Sequence, residues 1–202
     1  AEAYLRFPRK LSVAVLPQLA FSKEVVARAL QAGKEVILHL PMEPEGPSDP
    51  GPGAIRVGYD KTDVLRLLER NFGSVGTRGV NNHMGSRATA DIDIMNTVMI
   101  YLKQTDRFFL DSRTTPNSVA ADAAIRHGVP FLSRDVFLDV TADEATVNAA
   151  FDLGMKIGRK QGRAILIGHV TNRAVISVLE RRIDEIERAG FELVYLSELL
   201  PQ

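Results

Sequence analysis

Runs of apolar residues alternate along this chain with stretches in which apolar residues recur every three or four positions. The runs predict β-strands, and the intervening stretches, of which residues 171–190 are the clearest, predict amphipathic helices. Most strands read as continuous apolar runs, so we expect helices to cover the sheet or the sheet to close into a barrel. The predicted strands are 11–17, 35–41, 74–83, 107–114, 130–139, 163–170 and 191–199.

Glycines that stand before the next strand predict where the helices end. Glycine tolerates the left-handed conformation that closes many helices, so this recurrence marks helix ends. Thr141 and Glu144 have the spacing of a capping box and predict a helix start. The predicted helix-ending glycines are Gly33, Gly73, Gly128, Gly162 and Gly190.

The alternation of strands and helices predicts the α/β class, with right-handed crossovers and a parallel sheet. About seven parallel strands are compatible with an open doubly wound sheet or with a (β/α) barrel, and we favour a distorted barrel formed by residues 1–202 as one domain. The segment 41–53 interrupts the pattern because it holds five of the ten prolines. It is either a solvated linker or a rim over a site.

Composition narrows the possible functions. The chain has 202 residues, and its 25 basic and 25 acidic residues are interspersed, which argues against a nucleic-acid binder. No apolar run reaches the roughly 18 residues of a membrane span. The sequence contains no cysteine, so any metal must be held by His, Asp, Glu or Asn.

Polar residues cluster where the predicted strands end. In parallel α/β folds, sites form at the carboxyl ends of the strands, and three of the four histidines stand there. Each residue also has a structural alternative: Asp111 could cap a helix, and the arginines could form ion pairs. The strand-end residues are His39, Glu43, Asn81, Asn82, His83, Asp111, Arg113, Arg134, Asp135, Asp139 and His169.

Imidazoles and carboxylates without cysteine suit Zn²⁺ or another borderline divalent ion. Such a metal lowers the pKa of bound water and polarises a carbonyl group, which indicates hydrolysis. The sequence contains no HExxH, GxSxG or phosphate-loop motif, and no GxGxxG motif follows a strand.

Five strings, in order along the chain, resemble the divergent polysaccharide deacetylase family. They are "HLPMEP", "GVNNHMGSRAT", "FFLDSRTT", "PFLSRDVFLD" and "ILIGH". This family is distantly related to the NodB-type carbohydrate esterases. The resemblance therefore implies a distorted (β/α) barrel with a divalent metal, and removal of acetyl groups from an N-acetylated polysaccharide substrate.

The resemblance also implies roles for individual residues. His39 matches the first metal ligand, Glu43 stands where the NodB-type enzymes have a second histidine, and His83 is a replacement ligand. His169, in Ile167-Gly168-His169, is the implied general acid. The remaining predicted site residues are Asp111 as a catalytic residue, and Asn82, Arg113, Arg134 and Asp135 as substrate-binding residues.

The NodB-type enzymes begin with a strand that ends in an Asp-Asp pair, whereas here no Asp precedes Asp49. We expect this first family strand to precede Ala1; alternatively, the protein has lost the base and one ligand. An envelope polysaccharide as substrate implies a periplasmic or secreted location. Two other functions stay open: a non-catalytic envelope protein that binds glycan or a partner, and a metal hydrolase of small amides or esters.

Overall fold

A computed structural model describes residues 2–200 and divides the chain into two compact units. The larger unit comprises Ser12–Ser133 and Leu196–Gln202. The smaller unit comprises Ala1–Leu11 and Arg134–Tyr195.

The larger unit contains a parallel five-stranded sheet whose spatial order follows the chain, β1-β2-β3-β4-β5. Because all five strands run in one direction, their carboxyl ends share one edge of the sheet. The strands are β1 (Ser12–Val15), β2 (Glu35–Met42), β3 (Gly79–Met84), β4 (Phe108–Asp111) and β5 (Phe131–Ser133).

Amphipathic helices connect these strands. Two of them begin at an aspartate whose side chain accepts backbone N–H groups: Asp60 starts α3 and Asp91 starts α4. Buried Leu38, Val80 and Phe109 belong to the core of this unit. The helices are α2 (Ser22–Gln31), α3 (Lys61–Val75), α4 (Ile92–Gln104) and α5 (Ala120–His127), with 3-10 turns at Ala88–Ala90 and Leu196–Leu199.

The smaller unit packs helices around two short parallel strands. One apolar cluster, including Val147, Phe151 and Leu179, forms its core. None of the helices within residues 2–200 has the length and apolar character needed to cross a membrane. The elements of this unit are α1 (Glu2–Arg6), β6 (Val136–Phe137), α6 (Glu144–Gln161), β7 (Leu166–Ile167) and α7 (Arg173–Arg188).

The predicted α/β class with a parallel sheet is confirmed, but the full seven-stranded barrel is not. The strands form separate sheets of five and two. The predicted strand 130–139 is interrupted after Ser133, and its two pieces, β5 and β6, belong to different sheets. The predicted strand 191–199 forms no strand. The backbone N–H groups of Leu196 and Ser197 in this segment donate to the Glu35 carboxylate at 2.9 and 3.2 Å, which holds the segment in a 3-10 turn.

Two predicted helix boundaries were wrong. Gly73 lies inside α3, which ends at Gly76 because that residue has the left-handed conformation, with φ 68°. At the start of α6 the cap is Asp143 rather than Thr141. The Asp143 carboxylate accepts from the N–H of Thr146 at 2.8 Å and from the hydroxyl of Thr141 at 2.5 Å.

The proline-rich segment 41–53 begins as regular structure, because β2 continues one residue beyond the predicted strand end at 41. Pro41 and Met42 complete β2, and the Pro41 carbonyl accepts from the N–H of Ile55 at 2.9 Å. Glu43 donates its own N–H to the Ile55 carbonyl at 2.9 Å. Residues 44–53 contain no helix or strand, so they form a loop closed at its base by backbone hydrogen bonds.

Candidate functional site

The register of β2 and β3 brings two of the predicted histidines together. His39 is paired with Asn81, and His83 stands two residues further along β3, so all three side chains share one face of the sheet. His39 Nε2 lies 3.0 Å from His83 Nδ1, and the two rings meet edge to face.

A buried polar chain extends from His39 to the end of β4. His39 Nδ1 lies 2.9 Å from the side-chain oxygen of Asn81, whose Nδ2 donates to the hydroxyl of Ser112 at 3.0 Å. That hydroxyl donates to the Asn82 carbonyl at 2.8 Å. Asn81 and Ser112 are only 2% and 3% exposed, so this series of hydrogen bonds is shielded from water.

Two imidazoles at this separation fit part of a metal site. Zinc binds imidazole nitrogens at about 2.0–2.1 Å, which places two nitrogens on one ion roughly 2.9–3.4 Å apart. The observed 3.0 Å separation of the ring nitrogens falls in this range. Within residues 2–200, however, no group of three or more His, Cys, Asp or Glu side chains lies close enough to hold a metal ion. His39 and His83 thus provide two ligands of a set that needs more.

Glu43, the other predicted ligand, has both carboxylate oxygens engaged. One accepts from the N–H of Val57 at 2.7 Å, and the other pairs with the Arg87 guanidinium at 3.0 Å. The Glu43 backbone carbonyl also accepts from the N–H groups of Arg87 and Ala88. These bonds hold the proline-rich loop to its surroundings, and a role for Glu43 as a metal ligand stays a prediction.

Three further predicted residues lie at the ends of β3 and β4. The Asp111 carboxylate accepts from the Arg113 N–H at 2.7 Å and from the Ser118 hydroxyl at 2.7 Å, which organises the loop after β4. Arg113 has a left-handed backbone, with φ 49°. Buried Asn82 donates to the Met84 carbonyl and accepts from the Ser112 N–H, each at 2.8 Å. The catalytic or substrate-binding roles of these three residues stay predictions.

His169 lies in the smaller unit and is held by Asp139. The Asp139 carboxylate lies 3.0 Å from His169 Nδ1 and accepts from the His169 backbone N–H at 2.9 Å. The Asp139 side chain is 3% exposed and the His169 side chain 58%. A buried carboxylate therefore fixes the orientation of a solvent-accessible imidazole.

The surroundings of Asp139 also affect Tyr4. The Tyr4 hydroxyl donates to the carbonyls of Asn172 at 3.2 Å and His169 at 3.4 Å. Burial and, second, the negative charge of Asp139 raise the pKa of Tyr4 to about 12. Tyr4 stays neutral at ordinary pH and can act there as a donor to the backbone around His169.

Arg134 and Asp135, predicted to bind substrate, also belong to the smaller unit. The Arg134 guanidinium stacks on Phe137 at 3.8 Å from the ring centroid, and Phe137 in turn stacks with His169. Asp135 accepts from the N–H of Ile165 at 2.7 Å. Both side chains thus have defined structural contacts, and their binding roles stay predictions.

Sequence reasoning selected the histidines, placed Asn81 and Asp139 among the strand-end residues without giving them a role, and did not select Ser112. Asn81 stands two residues before His83 and so had to share its face of the sheet, a signal available from strand periodicity. Asp139 ends one apolar run as His169 ends another. Ser112 gave no signal of its own, because only the pairing of β3 with β4 brings it beside Asn81.

In open parallel α/β folds, ligand-binding sites lie at the carboxyl ends of the strands. The histidine pair of the larger unit lies at this edge, so the fold is of this α/β class. The chain belongs to the divergent polysaccharide deacetylase family, whose model matches residues 1–200. The resemblance read from the sequence strings is thereby confirmed.

Two bacterial proteins are similar in sequence to this chain over most of its length. The uncharacterized protein YibQ of Escherichia coli K12 is 34% identical over 197 residues, which cover 97% of this chain and 61% of YibQ. An uncharacterized protein of Haemophilus influenzae Rd is 36% identical over 168 residues, covering 83% of this chain and 60% of its own length. The chain thus spans about 60% of the length of these relatives.

A solved structure shares the fold. The crystal structure of the uncharacterized protein ATU2773 from Agrobacterium tumefaciens C58 matches with a TM-score of 0.91 at 24% identity. The match covers 98% of this chain and 82% of that protein.

Proposed function

We propose that this protein is a metal-dependent hydrolase that removes acetyl groups from an N-acetylated polysaccharide. The observation that carries this proposal is the His39–His83 pair, with ring nitrogens 3.0 Å apart at the carboxyl edge of the sheet. Membership of the divergent polysaccharide deacetylase family supports this reaction class.

His39 and His83 would hold the metal, and Zn²⁺ is the ion that a pair of imidazoles fits best. A bound divalent ion supplies a Lewis acid and lowers the pKa of a water molecule. The chain's own contribution is to hold both imidazoles in place. It does so through the pairing of β2 with β3 and the hydrogen bond from His39 to Asn81.

Deacetylation also needs a proton donor. The amide C–N bond breaks, water supplies the oxygen of the released acetate, and the sugar nitrogen takes up a proton. We propose His169 as the general acid that delivers this proton. Its support is the Asp139 carboxylate, which accepts from Nδ1–H and leaves Nε2 as the nitrogen for proton transfer at the exposed face of the ring.

Acetate release from N-acetylated glycan fragments tests this proposal. The unaltered chain loaded with zinc should release acetate, and a chelator should abolish the release. His39→Ala and His83→Ala should each remove activity and stoichiometric zinc. His127→Ala, which alters the histidine paired with Asn96 on another part of the larger unit, is the matched control and should change neither. Full activity in the chelated protein would refute the metal-dependent reaction.

One observation favours a second function, a non-catalytic envelope protein that binds glycan through the same fold. The two carboxylates predicted from the sequence to serve this site, Glu43 and Asp111, already accept hydrogen bonds from the protein. Glycan binding by the unaltered chain, unchanged in His39→Ala and without acetate release, would establish this function in place of catalysis.

The substrate class also implies a location. Envelope and extracellular polysaccharides lie outside the cytoplasmic membrane, so we propose that the protein acts in the periplasm or is secreted. Cell fractionation with an antibody tests this, and recovery of the protein only from the cytoplasm would contradict it.

A further inference from the structure

We propose that Asn81, oriented by Ser112, is a positioning residue that keeps the ring proton of His39 on Nδ1. His39 then presents the lone pair of Nε2 to a metal ion. This inference rests on the metal-binding function proposed above and adds the device that prepares one ligand for it.

The hydrogen positions follow from a group whose role is unambiguous, the backbone carbonyl of Asn82. A carbonyl oxygen only accepts hydrogen bonds, so the Ser112 hydroxyl, 2.8 Å away, must donate its single proton to it. The Ser112 oxygen is then limited to accepting. Its neighbour at 3.0 Å must be the donating NH₂ group of Asn81.

This orientation of the Asn81 amide decides the tautomer of His39. The oxygen of the amide faces His39 Nδ1 at 2.9 Å, and since that oxygen only accepts, Nδ1 must carry a proton. In a neutral imidazole the other nitrogen then carries the lone pair and acts as an acceptor. That nitrogen, His39 Nε2, is the one that lies 3.0 Å from His83 Nδ1.

Burial makes the assignment stable. If the Asn81 amide turned over, its NH₂ group would face the N–H of His39, and its oxygen would face a Ser112 oxygen whose proton is already used. Neither contact would be a hydrogen bond, and water is not at hand to replace them because Asn81 and Ser112 are almost fully buried. Ser112 is also fixed through its own N–H, which donates to the Asn82 side chain at 2.8 Å.

Histidines that bind a metal through one ring nitrogen commonly donate the N–H of the other to an acceptor, which sets the tautomer and the ring orientation. Loss of that acceptor weakens metal binding by about 10–100-fold. Asn81 stands in this position relative to His39. Its amide oxygen accepts the hydrogen bond without adding a negative charge, and Asn81 itself is held by Ser112, which directly follows β4.

The first test reads the tautomer without metal. In the metal-free 202-residue chain, histidine ¹⁵N spectra should show His39 with its proton on Nδ1, the signals being assigned with His39→Gln. Asn81→Asp preserves an acceptor and should keep this tautomer, whereas Asn81→Leu should shift His39 toward the Nε2 form. A proton on Nε2 of His39 in the unaltered chain would overturn the inference, and this reading needs no variant beyond the His39→Gln used for the assignment.

The second test is zinc affinity by competition with a chelating dye. Asn81→Leu should weaken binding by about 10–100-fold, and Ser112→Ala should weaken it less, because the amide keeps its acceptor but loses its orientation. Asn81→Asp should bind zinc nearly as tightly as the unaltered chain. The matched control is Asn96→Leu, which removes an amide oxygen that faces His127 at 3.1 Å. It should leave zinc affinity unchanged.

Zinc affinity in Asn81→Leu equal to that of the unaltered chain would overturn the positioning role. An equal loss in Asn96→Leu would also overturn it, because the effect would then be general. If the unaltered chain shows the Nδ1 tautomer of His39 but binds no zinc, the proposed metal-dependent function fails while the tautomer assignment stands.

Discussion

His39 in the larger unit and His169 in the smaller unit are both held through Nδ1, but by chemically different partners. His39 faces the neutral amide of Asn81 at 2.9 Å, and His169 faces the carboxylate of Asp139 at 3.0 Å. His39 is partly buried beside a second imidazole, whereas the His169 side chain is 58% exposed.

This difference separates the two roles that an imidazole can have. An amide fixes the tautomer without introducing charge, which suits a neutral ring that offers an electron pair to a metal. A buried carboxylate brings a negative charge next to a ring that exchanges a proton during a reaction. The partner of each histidine thus supports His39 as a ligand and His169 as an acid.

The largest expected effect is on kcat, when Asp139, the carboxylate that holds His169, is replaced by an amide. General acid catalysis contributes about 10²–10⁴-fold, so Asp139→Asn should lower kcat for acetate release by about 100-fold or more, because an amide can also hold the wrong tautomer. Zinc affinity should not change. Asp152→Asn removes an exposed carboxylate that pairs with Arg182 and serves as the control. A loss of zinc affinity in Asp139→Asn, or unchanged kcat, would contradict the division of roles.

The pKa of Tyr4 reports the charge of Asp139 independently of activity. Burial first and Asp139 second raise this pKa to about 12, and burial also raises the pKa of Tyr101. An absorbance titration should therefore show late ionisation, of which Tyr4→Phe should remove the step near pH 12 and leave that of Tyr101. The chain has four tyrosines and no tryptophan, which makes the titration simple to follow.

In Asp139→Asn the pKa of Tyr4 should fall yet stay above 10.0, the ordinary value, because burial is the larger cause. Since folding raises this pKa, the associated stability is complete below pH 10.0 and is lost as pH rises toward about 12. An unchanged Tyr4 titration in Asp139→Asn would contradict the contribution of Asp139 to the raised pKa of Tyr4.

The smallest expected effect concerns the stability contributed by another carboxylate, Asp143, which caps α6 instead of holding an imidazole. The hydroxyl of Thr141, then the N–H and hydroxyl of Thr146, lower the pKa of Asp143 from 3.8 to about 2. The resulting stability is present above pH 3.8 and is lost as pH falls toward about 2.

Asn is also a good helix cap, so Asp143→Asn should keep α6 while removing this pH dependence. Urea unfolding of both proteins between pH 5 and pH 2 measures the difference, and the unaltered chain should lose more stability over this range. Parallel pH profiles would contradict the assignment of Asp143 as a charged cap.

The fold was predictable where local pattern decides structure. Continuous apolar runs located β1 and β2, and Gly128 and Gly162 ended their helices as expected because both need positive φ. The residues 191–199 were apolar enough to predict a strand. Their backbone is instead held by the side chain of Glu35, which lies 161 residues from Leu196 in sequence. Such a long-range partner leaves no local signal.

The candidate site was predictable only in part, because the position of a residue in a strand is visible in the sequence but its hydrogen-bond partners are not. Strand-end position selected His39 and His83, and strand pairing brought them together. The roles of Glu43 and Asp111 are harder to read from sequence, because a carboxylate that ties down a loop and one that binds a metal look alike there. Their hydrogen bonds to Val57, Arg87 and Ser118 appear only in three dimensions.

The most direct test of the central claim is an anomalous difference map from crystals of the protein grown with Zn²⁺. We predict a peak within bonding distance, about 2.0–2.1 Å, of His39 Nε2 and of a ring nitrogen of His83. The peak should be absent in His39→Ala crystals. A map without a peak at this pair, or with the ion bound only by other residues, would contradict the metal site.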